Sequence, residues 1–453
     1  MDHRREHECQ LFLFLDFSRL ARSGRTIEEG TDVGRQDVTD EVLYFRSAGL
    51  DLGKRFLLAC VRVPNPKRRG TWSLETERFG TTPAEIRGLL AWLTERRVEL
   101  VVMEATSDYW RPVYYTLQES LNLMLVNPAH LTGIRGRKSD PNDAAFLARA
   151  GASGMVMASF VPPRAIRELR DLTRRRTEVV VARGQEAQRL EKELEDTGMK
   201  LTSVLTDVTG LSSRRILDAL IGGERNVDRL AELTFGAARK KIPVLVEALD
   251  GTFTDHHAFM CRHYLDQIDH LNAMVAGLDA RIAKLMGDHD KDIGNLDTIP
   301  GIGRRAAEVI IAETGADMAP FASAANLASW IGVSPGMNES AGVAKSGHTR
   351  DGNGNLKRVL GVAAMAAIKQ KDSYYGVYYR RVAARRGRQR ALVAVMHKLA
   401  IAVWHVLHDK VEHKDLGGDY FAKRDPVRAM RRMVREANAF GMTVRFDPIS
   451  SAA

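Results

Sequence analysis

Three short strand-like runs, Ala48 to Leu52, Phe56 to Val63 and Trp72 to Phe79, follow one another with only turn-forming residues between them. Pro64-Asn65-Pro66 and Lys67 to Gly70 supply the breaks of the second connection. Runs rich in branched and aromatic residues, bounded by such breakers, read as an antiparallel meander. A meander must bury its apolar face against another layer. Thr82-Pro83-Ala84-Glu85 then reads as a helix start, with a capping hydroxyl, proline at the first helical position and an acid in the first turn. Ile86, Leu89, Leu90 and Leu93 form its apolar face. A buried strand is expected at Val98 to Met103, a helix near Pro112 to Glu119, a strand at Leu123 to Val126, and helical sequence after Asn127-Pro128.

Four acids occupy marked places in this layout. Asp51 lies on the first strand in Gly49-Leu50-Asp51-Leu52-Gly53, and Glu104 ends the apolar run Leu100-Val101-Val102-Met103. Asp140 and Asp143 open a helix in Lys138-Ser139-Asp140-Pro141-Asn142-Asp143-Ala144. Carboxylates three residues apart on a helix share a face, and crowding them is unfavourable unless a cation sits between them. One such acid alone is commonly a cap or a solvated surface charge; four in this order suggest a two-magnesium (Mg2+) site for phosphodiester chemistry. Acids on strand one, at a later strand end and on a closing helix describe the α/β ribonuclease-H-like fold of nucleases and integrases. That fold is expected over residues 47–160.

The charge balance narrows the partners. The chain of 453 residues carries a formal net charge of +10, and from residue 340 onward 22 Lys/Arg stand against 9 Asp/Glu. A surplus concentrated in the carboxy-terminal part favours a nucleic-acid partner. Cys9, Cys60 and Cys261 have no metal-binding spacing and are expected as reduced thiols. No apolar stretch is read as long enough to span a bilayer, and Leu11 to Leu15 is too short for a signal-peptide core. A soluble cytoplasmic protein without a membrane role is expected. Residues 1–46 are polar and aperiodic and are expected to form a disordered leader without chemistry.

Residues 161–290 are expected to be an α-helical, coiled-coil region. Ile166, Thr173, Val180, Ala187 and Leu194 recur every seven residues, with Leu169, Arg176, Arg183 and Leu190 as half-apolar companions. Tyr264, Ile268, Leu271, Val275, Leu278, Ile282 and Leu285 step by four and three. An antiparallel hairpin within the chain and a dimerising coiled coil fit equally. Arg174-Arg175-Arg176 reads as a solvated face that could also touch phosphates, and His256, His257, His263 and His270 as helix-surface residues.

A mainly α-helical domain is expected over 291–412, followed by a basic tail at 413–453. Ile299-Pro300-Gly301-Ile302-Gly303, preceding Arg304 to Glu313, is a helix-hairpin-helix-like signal in which glycines let backbone N–H groups approach a phosphate. A tight turn between helices reads equally well. The stretch from Gly332 to Asn355 is a long glycine-rich loop holding Ser340, Lys345, Ser346, His348 and Arg350, and such loops are usually functional or disordered. Tyr374, Tyr375, Tyr378 and Tyr379 beside Lys369, Lys371, Arg380 and Arg381 suit either nucleic-acid contact or core packing.

Taken in order, these pieces resemble the DEDD transposase family of bacterial insertion sequences (the insertion sequence one-ten family), which includes a DNA invertase of pilin genes. The resemblance runs from about Ser47 to His408. Besides the segments around Asp51 and Asp140, it rests on Met103-Glu104-Ala105-Thr106-Ser107-Asp108-Tyr109-Trp110, Val126-Asn127-Pro128-Ala129, Pro300-Gly301-Ile302-Gly303 and Gly332-Val333-Ser334-Pro335. Glu339-Ser340-Ala341-Gly342 and Gly352-Asn353 with Leu356-Lys357-Arg358 complete it. The resemblance implies a RuvC-like domain whose Asp51, Glu104, Asp140 and Asp143 bind magnesium, and a transposase domain whose nucleophilic serine maps to Ser340. The family often has glycine directly after that serine; here Ala341 intervenes, and Ser346, followed by Gly347, is the rival. It also implies DNA element ends and target as substrates, a homodimer or tetramer, and in some members a structured non-coding guide RNA. Lys138, Gly301, Gly303, Arg304, Lys345, Arg350, Lys357 and Arg358 are the expected nucleic-acid contacts. A RuvC-like junction resolvase acting by hydrolysis is the alternative function, and a non-catalytic nucleic-acid-binding protein a third.

Overall fold

The computed structural model describes residues 42–128, 140–335, 339–340, 342–344, 349 and 351–447; the side chains of residues 140–142, 339–340 and 343–344 lie outside this description. The chain forms two compact units, one ending at Ser159 and the other beginning at Phe160. Of the expected leader, residues 1–41 lie outside the described residues.

The first unit is built on a mixed five-stranded sheet of order β3-β2-β1-β4-β5. β1 (Ser47–Leu52), β2 (Phe56–Pro64) and β3 (Trp72–Gly80) form the antiparallel meander. α1 (Pro83–Glu95) then carries the chain back to β4 (Leu100–Glu104), parallel to β1, and α2 (Trp110–Leu117) leads to β5 (Leu123–Val126), parallel to β4. The start of α1 is as expected: the Thr82 hydroxyl accepts the Glu85 N–H and Pro83 sits in the first turn. Ile86, Leu89 and Leu93 are buried against the sheet. α3 (Asp140–Ala152) lies across one face of the sheet, where Leu147 and Ala150 pack with Leu100, Val102 and Val126.

Among the described residues the second unit is helical apart from one two-stranded ribbon. α4 (Arg164–Asp196) and α5 (Asp255–Met286) run antiparallel as a hairpin within the chain: Arg176 bonds Asp279, Arg183 bonds Asn272 and Asp196 meets His257. Between them the chain forms short elements, among them Val227–Glu232, a 3-10 turn at Gly236–Lys241 and Ile242–Ala248. These short elements pack with the far ends of the hairpin around Leu190, Leu194, Leu245 and Leu265. A separate core forms near the hairpin's base from α6 (Asp290–Asp297), α7 (Arg304–Thr314), α8 (Ala324–Ile331), α9 (Gly354–Ala367), α10 (Tyr374–Arg386) and α11 (Arg388–Asp409). α11 is long and apolar enough to cross a membrane by length and composition alone, contrary to the expectation of no such stretch. Its Val395, Leu399, Val403 and Val406 are buried in this core.

Several side chains read as surface residues are structural. Arg176 is buried and pairs with Glu308 at 2.6 Å and Asp279 at 3.0 Å, and Arg174 binds Glu313 at 2.7 Å. Their partners on α7 lie more than a hundred positions away, so Arg174 and Arg176 clamp two helices together, while Arg175 between them is exposed and pairs with Glu178 on its own helix. His257 is also buried: its Nδ1 accepts the Thr254 N–H at 3.1 Å and completes a capping box at the start of α5. The expected basic tail folds back on the core. Tyr374 donates its N–H to Asp415 at 3.0 Å, and His413 donates its N–H to the Thr298 hydroxyl at 2.8 Å. α12 (Tyr420–Arg424) and α13 (Pro426–Ala439) follow.

Candidate active site

The register of β1 and β4 sets two of the acids side by side. Leu50 pairs with Met103, so Asp51 and Glu104 are the next residues on neighbouring parallel strands. Side chains alternate between faces, which puts Ser47, Gly49 and Asp51 on one face, and Leu100, Val102 and Glu104 likewise. That face carries α3: the Ser47 hydroxyl donates to Ala148 O at 2.9 Å, and Gly151 lies against Leu100 and Val102.

Gly49 makes the close approach possible. A Cβ there would lie 2.0 Å from Ala144 O and 2.6 Å from Ala148 N, so any other residue would push the helix off the strand. Two residues along β1, from Ser47 to Gly49, correspond to one turn of α3, from Ala148 to Ala144. The next step brings Asp51 to the first turn of α3, which begins at Asp140 and contains Asp143. Asp51, Glu104 and Asp143 are partly buried, with Asp143 Oδ1 buried entirely. The side chain of Asp140 lies outside the described residues. Among the described residues no three His, Cys, Asp or Glu side chains converge at metal-binding distance. The donor chemistry at this edge is all carboxylate oxygen, which suits a hard cation such as magnesium over a softer metal.

In the second unit, Ser340 ends the short strand β6 (Glu339–Ser340) and pairs with Val343 of β7 (Val343–Ala344). Gly342 turns the ribbon at φ +79°. The rival Ser346 lies outside the described residues, as do Lys138, Lys345 and Arg350. The feet of this loop are fastened together. Gly332 ends α8 in the left-handed region, and a Cβ on Gly352 would lie 2.5 Å from the Ile331 carbonyl. Asn353 donates its N–H to Trp330 O at 3.2 Å, caps α9 with its side-chain oxygen and gives its Nδ2–H to Glu313 at 2.8 Å. Glu313 is fully buried and also receives Arg174. The Glu313–Asn353 link was not anticipated from the sequence, whereas the glycine inside strand β1 was an available sign of close backbone approach.

The remaining expected contacts are dispersed. Gly301 adopts φ +87°, and a Cβ there would meet Ala363 O at 2.1 Å, so packing on α9 is enough to require glycine. Gly303 caps α7, and Arg304 pairs with Asp290 and Glu308. Lys357 donates to the Thr349 hydroxyl at 2.8 Å beside the loop, and Arg358 is exposed. Tyr375 is buried, and Tyr374 and Tyr378 stack on Phe421, so these tyrosines pack the core and the tail.

Two family models match. A DEDD-type model described as a transposase covers residues 48–199, the span holding all four acids, and the model of the transposase IS116/IS110/IS902 family covers residues 294–380, the span holding Ser340. The transposase for insertion sequence element IS1111A of Coxiella burnetii (strain RSA 493 / Nine Mile phase I) is 23% identical over 318 residues, covering 69% of this chain and 78% of that protein. The order of acids, helical hairpin and serine loop along one chain agrees with these matches, and the chain belongs to the IS116/IS110/IS902 family of transposases.

Proposed function

We propose that this transposase is a magnesium-dependent DNA recombinase that excises and inserts its own element through a phosphoserine bond. The observation that carries the proposal is the seating of the first turn of α3 beside the strand ends bearing Asp51 and Glu104. The 3-2-1-4-5 strand order, with an antiparallel meander and parallel β4 and β5, supports a RuvC-like reading of the first unit. Asp51, Glu104, Asp140 and Asp143 would hold two magnesium ions, which when bound supply the positive charge that activates a hydroxyl and stabilises a leaving oxygen.

The chain's own residues then divide the work. The Ser340 oxygen attacks the phosphorus, its proton leaves, and the displaced sugar oxygen departs protonated, leaving DNA esterified to Ser340. A sugar hydroxyl of the new partner strand attacks that phosphorus, and Ser340 regains its proton. The acids and Ser340 belong to different compact units, and in a dimer or tetramer they are supplied by different subunits. The α4/α5 hairpin serves that assembly. A structured non-coding RNA guides target choice, and the protein works at the nucleoid in the bacterial cytoplasm.

The test is a recombination assay with denaturing-gel detection of protein-bound DNA. Wild-type protein forms a covalent adduct and recombinant product, Ser340→Ala forms neither, and Asp143→Ala loses recombination while still binding DNA. Cleavage without any adduct would replace this route with the hydrolytic, resolvase-like one. Sequencing the RNA that copurifies tests the guide: one discrete structured species is expected, and heterogeneous RNA or none would remove it.

A further inference from the structure

Residues beyond 380 lie outside both transposase models, yet they build a defined feature. A cleft of about 540 Å³ opens between α10 and α13. Its walls carry Arg380, Arg381 and Arg385 from α10, and Arg428, Arg432 and Arg435 from α13. The single carboxylate in the lining, Asp425, is committed to capping α13, where it accepts the Arg428 N–H at 3.0 Å.

Several arginines of the helical scaffold have carboxylate partners: Arg174 has Glu313, Arg176 has Glu308, Arg214 has Asp269 and Arg305 has Asp279. The cleft differs. Among the described residues only Arg432 of its six has an ion pair, with Glu436 at 3.5 Å. Arg380, Arg385 and Arg435 reach only backbone carbonyls, and Arg381 lies over the Phe421 ring, 4.6 Å from its centre. Like charges gathered without counter-charge raise one another's energy, and the field they create draws a polyanion. Guanidinium forks fit phosphate oxygens in particular.

The geometry also indicates what part of a nucleic acid is held. Arg428, Arg432 and Arg435 recur at four- and three-residue spacing, a row about 10 Å long on one face of α13. Phe421, the one aromatic ring in the lining, is already stacked against Tyr374 at 5.3 Å and Tyr378 at 6.2 Å. The cleft therefore presents charge and not a platform for an unstacked base, which favours a duplex backbone over a single strand.

We propose that the α10/α13 cleft binds the phosphate backbone of double-stranded DNA without reading its sequence, as a holding site separate from the reacting groups. The choice of DNA over RNA rests on the function proposed above. The test uses the full-length protein and a labelled random-sequence DNA duplex, with affinity measured across a salt series. The variant Arg428→Gln/Arg432→Gln/Arg435→Gln is expected to lower the slope of log affinity against log salt by about 2 to 3, from about 0.9 per phosphate contact. Between 50 and 200 mM salt the wild-type protein would then lose about 40-fold more affinity than the variant. The corresponding triple Lys variant keeps the wild-type slope. If the Gln variant fails to fold, Arg380→Gln/Arg385→Gln on α10 gives the same readout. An unchanged slope in a folded Gln variant overturns the proposal, and a slope change seen only on an RNA duplex overturns its assignment to DNA. Because the readout is binding, a missing Ser340 adduct with an altered slope would sink the phosphoserine route and leave the cleft standing.

Discussion

Replacing Glu313 by glutamine tests whether a buried charge network holds the serine loop in place. Glu313 is fully buried. Its Oε1 receives Arg174 Nε at 2.7 Å, and its Oε2 receives Arg174 Nη2 at 2.9 Å and Asn353 Nδ2 at 2.8 Å, with Arg170 at 3.3 Å. Paired with this carboxylate, the Arg174 guanidinium is held even more firmly in its charged form. Glutamine keeps the shape but removes the charge and turns one acceptor into a donor facing donors. Breaking a buried pair from one side costs about 3 to 5 kcal/mol. Arg174 retains partial access to water, so the lower figure applies, about 3 kcal/mol. For a unit of this size that corresponds to a drop of roughly 6 to 12 °C in melting temperature. Thermal unfolding of the full-length protein measures it. Replacing both partners, Glu313→Leu with Arg174→Met, is expected to cost less than Glu313→Gln alone, because no charge is stranded. A Glu313→Gln protein melting within 1 °C of wild type, about 0.3 kcal/mol on the same scale, would refute the reasoning.

Other outcomes follow from single contacts. Gly49→Ala forces α3 away from β1, where a Cβ would lie 2.0 Å from Ala144 O; recombination is expected to fall at least about 100-fold, given the sensitivity of reactive geometry to ångström shifts, and retained activity would show that α3 does not set the site. Gly301→Ala combines a strained φ of +87° with a Cβ 2.1 Å from Ala363 O and should destabilise by about 2 to 4 kcal/mol, readable in chemical denaturation. Burial lowers the pKa of His397, helped by Lys398, and of His413. Stability from keeping these imidazoles neutral is complete above the unfolded value of about 6.5 and is lost as pH falls from there through the lower folded values. The double variant His397→Asn/His413→Asn should flatten that acid-side decline, and a decline identical to wild type would exclude these histidines as its source.

The parts of the fold legible in the sequence are those written locally. Thr82-Pro83 marked the start of α1, and the strand runs around Asp51 and Glu104 marked the central sheet, because capping and alternation depend on neighbouring residues. The apolar seam of the hairpin was equally visible; its antiparallel closure within one chain was not, since a heptad specifies a face and not a partner. Arg176 sat in that seam as an apparent defect and is neutralised by Glu308, 132 residues away. No local pattern reveals such a pairing. His257 is buried in a capping box, where a histidine at the third helical position is not the usual partner, so nothing local sets it apart from its neighbouring surface histidines. At the candidate site the acids themselves stood out and a glycine inside β1 hinted at a close backbone approach, while the contact that positions the loop, at Asn353, is long-range and has no local signal.

The pinch between Gly332 and Gly352 gives the serine loop a property that matters for descent with modification. Its two ends are held together where Gly352 lies against Ile331 and Asn353 bonds Trp330, so the gap to be closed is short whatever the length of chain between them. Lengthening that chain is cheap, since doubling it costs only about 0.6 kcal/mol in closure entropy. Length changes between these two anchors can therefore accumulate while the helical scaffold beneath them stays unaltered.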